Sequence, residues 1–252
     1  MTVIVYGDFN CPYSYLASQR ADLLSSAGAA DVDWRAVEHD RGLPLTGSRP
    51  DTDQARWDRE LSEVASLSLP GEHVPPAPPA LISNTGAATA AYAEAVSDGV
   101  AGELRRLLFR EIWDRGQHLS SAYEVRRLVT GLMWPQDDIT DRLASPDIPA
   151  LLIQDPDLAR IVRRSGGTIA PDGGPLTTAG WQRIQRWRRE WLALPSPVIP
   201  VAIGPDQSVW SGTDALRYLA QLVSPASMEP RLNLRTAAAG PGTRLLTPAG
   251  AG

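Results

Sequence analysis

The residues best suited to chemistry lie near the start of the chain, around its only cysteine, Cys11. Residues 2–6 before it are apolar and β-branched, which predicts a buried strand. Pro12 then stands at the first position of a predicted helix. A thiol at the amino end of a helix faces unpaired backbone N–H groups and the positive end of the helix dipole, and both favour the thiolate. The pattern therefore predicts a reactive sulfur.

Two neighbours of Cys11 leave the chemistry open. A lone cysteine is often only a small buried hydrophobic residue. Asp8 ends the predicted strand and could tune the pKa of the thiol or carry a proton, or it could simply bond to nearby backbone. Because its negative charge opposes thiolate formation, the sequence does not give the direction in which the pKa of Cys11 is shifted. His39 follows the second predicted strand and could reach the same place, although such a residue is more often a hydrogen-bonded polar group.

The composition excludes several classes of function. A net charge of −5 gives no reason to expect a nucleic-acid or anionic-membrane partner. One cysteine excludes an internal disulfide, and the sequence holds no Cys/His cluster typical of a metal site, so we expect no metal. Neither a signal peptide nor a membrane-spanning stretch is recognisable. We therefore expect a reduced, cytoplasmic protein.

The strand and helix patterns predict a small sheet that is interrupted by helices. Residues 1–45 predict strand, helix and strand, whereas residues 84–194 predict helices alone. Strand patterns return in a predicted hairpin and a closing helix follows. The predicted later helices cover residues 52–67, 85–97, 104–113, 121–129, 138–143, 148–162, 178–192 and 214–222, and the hairpin strands cover 198–203 and 208–210. The chain is thus predicted to be α/β in the order β-α-β, a large all-helical insertion, then β-β-α.

This order and several motifs resemble the thioredoxin superfamily, and within it the DsbA-like branch, over about residues 1–223. The nearest groups are FrnE-like DsbA proteins, 2-hydroxychromene-2-carboxylate isomerases and kappa-class glutathione transferases. The similar motifs are Asp-Phe-Asn-Cys-Pro-Tyr-Ser-Tyr-Leu at residues 8–16, Asn84 with Thr85, Ile199 with Pro200, and Trp-Ser-Gly-Thr-Asp at residues 210–214. The resemblance implies a thioredoxin-like domain formed by residues 1–50 and 195–223 and a helical insertion at 51–194. Residues 224–252 are rich in Pro, Ala, Gly and Thr, which predicts a mostly disordered tail.

The resemblance also implies roles for individual residues. Cys11 stands where disulfide oxidoreductases have their nucleophile, and where the isomerase and kappa groups have a serine that contacts the glutathione sulfur. Ser14 stands where the oxidoreductases have their second cysteine, so that only an external thiol could resolve a mixed disulfide on Cys11.

Two motifs near the end of the chain carry further implied roles. Pro200 falls where the superfamily has a cis-proline, which would leave the backbone of Ile199 free to pair with a bound thiol or peptide; the alternative is a trans proline at a sheet edge. Thr213 and Asp214 open the last predicted helix. They either cap it or contact the amine of a γ-glutamyl group.

Three functions agree with these observations. The first is a DsbA-family oxidoreductase with a single active-site cysteine in a Cys-Pro-Tyr-Ser motif, which exchanges disulfides with glutathione or another low-molecular-weight thiol. The second is an isomerase or transferase that uses such a thiol on a small aromatic substrate. The third is a non-catalytic thioredoxin-fold module that binds another protein. The expected partner of the enzymes is a small thiol or small organic molecule, and a homodimer remains open.

Overall fold

The computed structural model describes residues 1–50, 54–133, 169–170 and 172–223. The predicted helices at 138–143 and 148–162 and the tail at 224–252 lie outside the described residues. The strands are β1 (Thr2–Gly7), β2 (Asp31–Ala36), β3 (Val201–Ile203) and β4 (Val209–Ser211). The helices are α1 (Pro12–Ser26), α2 (Gln54–Leu67), α3 (Gly86–Asp98), α4 (Ala101–Trp113), α5 (Ala122–Met133), α6 (Thr178–Leu192) and α7 (Thr213–Val223).

A four-stranded mixed sheet joins the two ends of the described chain in the order β2-β1-β3-β4. Strand β1 pairs in parallel with β2 and antiparallel with β3, and β3 pairs antiparallel with β4. The inner strand β1 buries Val3 and Val5 completely. The predicted α/β class and thioredoxin-like β-α-β … β-β-α order, with helices between the two halves, are therefore confirmed.

Helix α1 begins where the sequence predicted it. Cys11 is its N-cap residue, with extended backbone angles, and Pro12 is the first helical residue. Proline suits that position because its fixed φ is already helical and its missing N–H would have no partner there. The turn before the helix is held by Phe9, whose fully buried ring packs against the rings of Phe109 and Tyr92. The position of Cys11 is thus fixed by core packing on one side and by the helix on the other.

The ends of two elements differ from the sequence prediction. The strand expected at residues 198–203 is regular only at Val201–Ile203, because Pro200 has no N–H to offer a sheet ladder. Helix α3 has Thr85 as its N-cap residue, but the Thr85 hydroxyl makes no capping bond. It donates instead to the Asp8 carboxylate, with an oxygen–oxygen distance of 2.6 Å. A capping residue has therefore become a partner of a buried acid.

Candidate active site

The sulfur of Cys11 is nearly buried at the amino end of α1, where the side chain is 7% exposed. Burial raises the pKa of the thiol to about 11, and the charge of Asp8 also raises it. Hydrogen bonds from the Ser14 hydroxyl and from the backbone N–H groups of Ser14 and Tyr13 lower it, but by less than burial raises it. The stabilisation of the thiolate expected from the helix end is thus present and outweighed, so Cys11 is a protonated thiol at neutral pH.

Cys11 lies on the wall of a cleft of about 530 Å³. Segments far apart in sequence supply the rest of the lining, including Trp57 from α2, Ile82 from the segment before α3 and Trp191 from α6. The remaining lining residues are Asn10, Pro12, Tyr13, His39, Asp40, Leu43, Ser48, Arg49, Pro50, Arg56, Glu60, Pro197, Val198 and Ile199. The cleft therefore lies where the loops after β1 and β2 and the segment before β3 meet helices α1, α2 and α6.

Behind the cleft wall, Asp8 is completely buried at the end of β1 and accepts four hydrogen bonds. One carboxylate oxygen accepts from the Thr85 hydroxyl at 2.6 Å and the Asn10 N–H at 3.3 Å. The other oxygen accepts from the backbone N–H and the ring Nδ1 of His39, both at 2.8 Å. An ionised carboxylate has only acceptors, so Nδ1 carries the proton in this contact. The histidine ring is thereby held in one orientation at the cleft.

Ser14 is buried beneath the cysteine, and its hydroxyl accepts the N–H of Asp8 at 3.2 Å. The adjoining strand residue is Gly7, where an added Cβ would lie 2.5 Å from the Trp34 ring and 3.1 Å from the Ser14 hydroxyl. Only a glycine fits there without displacing a ring or the serine. Ser14 is thus part of a close-packed support under Cys11.

Of the two motifs near the end of the chain, only the one at Ile199 and Pro200 lines the cleft, through Ile199. The Ile199–Pro200 peptide bond is cis, and Ile199 lines the same cleft as Cys11. The N–H of Gly212 donates to the carbonyls of Val198 at 3.0 Å and Pro200 at 2.8 Å, which joins the start of α7 to this segment.

Thr213 and Asp214 open α7, as the sequence predicted. Asp214 is largely exposed and pairs with Arg217 at 2.7 Å. Neither residue is among those of the described chain that line the cleft.

Sequence reasoning missed the parts of the site that depend on distant contacts. Nothing in the local sequence marks Trp57, Ile82 or Trp191 as walls of a cleft. The contact between Asp8 and His39 joins residues 31 positions apart. The parallel pairing of β1 with β2 brings together the ends of both strands, where these two residues lie, and is the one signal that could have shown it.

The sheet order, the helix that starts at Cys11 and the helices between the sheet's two halves define a thioredoxin-like protein. The model of the DsbA-like thioredoxin domain matches residues 2–166, and the chain belongs to this family. No curated protein sequence shows significant similarity to the chain. Among the described residues, no helix is long and apolar enough to cross a membrane and no cluster of three or more potential metal-ligating His, Cys, Asp or Glu side chains is found.

Solved structures share the fold at low sequence identity. A probable DsbA oxidoreductase from Streptomyces coelicolor is 15% identical with a TM-score of 0.54, and the match covers 91% of each chain. The cytosolic disulfide reductase DsbM from Pseudomonas aeruginosa, with GSH, is 14% identical with a TM-score of 0.54 and covers 90% of this chain and 98% of its own. A 2-hydroxychromene-2-carboxylate isomerase is 17% identical with a TM-score of 0.50 and covers 90% and 96%.

Proposed function

We propose that this protein is an enzyme that binds a low-molecular-weight thiol in the Cys11 cleft and uses it on a small organic substrate. The observation that carries this proposal is the position of Cys11, which is nearly buried on the wall of a cleft of about 530 Å³, where burial raises the pKa of its thiol. Clefts of this volume are typical sites for small ligands. A cysteine that attacks protein disulfides is by contrast expected to be exposed and to have a lowered pKa.

The cleft lining suits glutathione or a thiol of similar chemistry. Trp57, Ile82 and Val198 supply apolar surface, and Arg49 and Arg56 line the same cleft. Arg56 already pairs with Glu60 at 2.7 Å, so a carboxylate of the thiol would share or replace that contact. Guanidinium groups recognise carboxylates, which such thiols carry. The lining thus combines an apolar wall for an organic substrate with charged residues of both signs, because Asp40 and Glu60 line the cleft together with the two arginines.

Cys11 is proposed to donate its S–H to the sulfur of the bound thiol, as the serine at this position does in the isomerase and kappa groups. A bound thiol supplies a nucleophilic sulfur for attack on an organic substrate. Ser14 and the first N–H groups of α1 hold the Cys11 sulfur in place. Ile199 lines the same cleft and is proposed to offer its backbone to the thiol. Thr213 and Asp214 lie outside the cleft lining, but the Gly212 bonds to Val198 and Pro200 hold the start of α7 next to it. We propose that a γ-glutamyl group extends past Val198 and that its amine is recognised there by Thr213 and Asp214.

A second candidate function is thiol–disulfide exchange at Cys11 itself. It is favoured by the three groups that hydrogen-bond to the Cys11 sulfur, because they stabilise a thiolate once it forms. Ser14 cannot form a disulfide, so in this case an external thiol must attack the mixed disulfide and release Cys11. Cytoplasmic localisation is part of either proposal, since both need a reduced thiol pool.

Replacement of Cys11 separates the two candidates. Binding of glutathione, coenzyme A and N-acetylcysteine is measured by calorimetry for the natural protein, Cys11→Ser and Cys11→Ala. All three proteins are then assayed for thiol addition to an aromatic electrophile and for reduction of oxidised glutathione. We expect Cys11→Ser to keep thiol addition within about tenfold, because its hydroxyl makes the same hydrogen bond, and Cys11→Ala to lose more.

Each of the other results assigns a different function. If Cys11→Ser loses every activity while the natural protein reduces the disulfide, exchange at Cys11 is the function and the first proposal fails. If none of the three thiols binds and neither reaction is accelerated, both enzymatic proposals fail. The non-catalytic binding module then remains.

A further inference from the structure

The contact between Asp8 and His39 has the construction of a catalytic pair rather than of a surface ion pair. The acid is completely buried, and each of its oxygens accepts two hydrogen bonds. The ring of His39 is about one-third exposed and lines the cleft. A carboxylate that fixes the tautomer of a histidine from behind, and leaves its other nitrogen at a ligand site, is the arrangement that general bases require.

The second ring nitrogen of His39 is available to a ligand. Within the described parts of the chain, Nε2 has no hydrogen-bond partner, and with Nδ1 protonated it is an acceptor when the ring is neutral. His39 and the Cys11 sulfur share one cleft but do not hydrogen-bond to each other. They are nevertheless tied to one turn, because the Cys11 N–H donates to the Asp8 carbonyl at 3.2 Å. A ligand that fills the cleft therefore meets both side chains on its walls.

We propose that His39, oriented by Asp8, is the proton acceptor for the thiol bound in this cleft, an inference that rests on the proposed function. The Nε2 lone pair takes the proton of the thiol, so that the S–H bond breaks, an N–H bond forms and the electron pair stays on sulfur. The imidazolium that results lies beside the negative charge of Asp8. The proton returns from Nε2 when the product needs one, so the pair ends each cycle unchanged.

The charges around the ring agree with this role. Burial lowers the pKa of His39, but the hydrogen bond and charge of Asp8 and the charge of Asp40 outweigh it and raise the pKa above its usual value of about 6.5. Arg56 of α2 lowers it. Glu60 and Cys11 line the same cleft. A histidine whose basicity is raised in this way accepts a proton from a thiol more readily than imidazole in water does.

The test measures the pKa of glutathione while it is bound. The ultraviolet absorbance of the thiolate is followed between about pH 5 and 9 for glutathione on the natural protein, on His39→Asn and on His73→Asn. Cys11 contributes no signal there because its pKa is about 11. Asparagine keeps the N–H that Asp8 accepts and removes Nε2. His73 pairs with Asp114 outside the cleft and is the matched control.

On the natural protein and on His73→Asn, we expect the bound thiol to titrate about one pH unit or more below the free value of about 8.5. On His39→Asn we expect the pKa to return to within about 0.3 units of the free value. If His39→Asn leaves the bound thiol's pKa as low as in the natural protein, the role of His39 is refuted while thiol binding stands. If glutathione does not bind the natural protein at all, the proposed function fails for this thiol and the inference fails with it.

Discussion

Two histidine–aspartate pairs in this chain have the same chemistry and opposite surroundings. In the pair His39–Asp8 the nitrogen–oxygen distance is 2.8 Å and the acid is fully buried. In the pair His73–Asp114 it is 3.2 Å, and the acid is 30% exposed. Asp114 also accepts the Tyr15 hydroxyl, so both acids hold more than one donor. The two pairs differ in their surroundings. In the first pair, the protein encloses Asp8 while the ring of His39 faces a cleft.

Burial of the acid decides how firmly the geometry of such a pair is fixed. A pair in water gains little from its charges and moves freely, so its geometry carries little information. A buried acid must satisfy its acceptors with fixed donors, and the donors of Asp8 come from the β1–α1 turn, from the segment after β2 and from the start of α3. The ring of His39 is therefore held by three parts of the fold.

The largest expected effect is the loss of stability when the acid of each pair is replaced by alanine. Asp8→Ala leaves the Thr85 hydroxyl and two backbone N–H groups buried without an acceptor, so we expect it to lower the free energy of unfolding by about 3 to 5 kcal/mol. Asp114→Ala removes the acceptor of the Tyr15 hydroxyl, but Asp114 is 30% exposed, so water can replace part of the contact, and we expect a loss of about 1 to 2 kcal/mol. Urea denaturation followed by circular dichroism measures both. Equal losses would show that Asp8 is no more deeply built into the fold than Asp114.

A smaller effect is expected on the alkylation rate of Cys11, which should not depend on the His39–Asp8 pair. Because its pKa is raised to about 11, the rate of alkylation by iodoacetamide should keep rising above pH 9 without a plateau. Ser14→Ala removes one hydrogen bond to the sulfur, which should raise the pKa further and slow alkylation at pH 8 by about fivefold, as expected for about 1 kcal/mol. His39→Asn should leave the rate unchanged.

The rates are read by mass spectrometry of the intact protein, which has one site to alkylate. A plateau below about pH 8.5, the value of a free cysteine, would show an activated thiolate and would favour exchange at Cys11. A slower rate in His39→Asn would join the histidine to the cysteine and contradict the separation between them.

The smallest effect is the pH dependence of stability. The pKa of His39 is raised in the folded protein, so its pair with Asp8 stabilises the fold fully below the unfolded value of about 6.5, and this contribution is lost as the pH rises through the folded value. The natural protein should therefore exceed His39→Asn in stability more at pH 5 than at pH 9. The ring is about one-third exposed, so screening should keep the difference below about 1 kcal/mol.

His73→Asn is the control for removing a histidine from a partly exposed pair, and we expect it to change the stability by about 1 kcal/mol or less, because the His73 side chain is 55% exposed. Thermal melts at the two pH values measure all three proteins. A difference between the natural protein and His39→Asn that grows with rising pH would reverse the sign and contradict the assigned contact.

The fold could be predicted from the sequence where local patterns decide it. The junction at Pro12 was placed correctly because proline has few roles next to a β-branched run, and the hairpin around Gly204 because its strands are separated by turn residues. Helix α6 was placed within a residue because its tryptophans repeat at helical spacing. The start of the strand near Pro200 was predicted three residues too early. The prediction followed the run of apolar side chains, whereas strand pairing needs backbone N–H groups, and Pro200 has none.

The site was harder to predict because its chemistry depends on burial. The sequence places Cys11 at a helix end, and this correctly indicates groups that stabilise a thiolate. It does not show that core packing encloses the sulfur and outweighs them. His39 was recognised only as a residue that could reach the cleft, since its partner Asp8 joins it through the pairing of two strands.

Because residue 14 is a serine, Cys11 has no neighbouring thiol with which to form a disulfide. A protein with two neighbouring thiols can form an internal disulfide, and this dithiol–disulfide couple has a reduction potential set by the protein itself. Here the single sulfur can be oxidised to a disulfide only in company with another molecule. The fraction of capped protein is then set by the concentration and redox state of the surrounding thiol pool rather than by the protein alone.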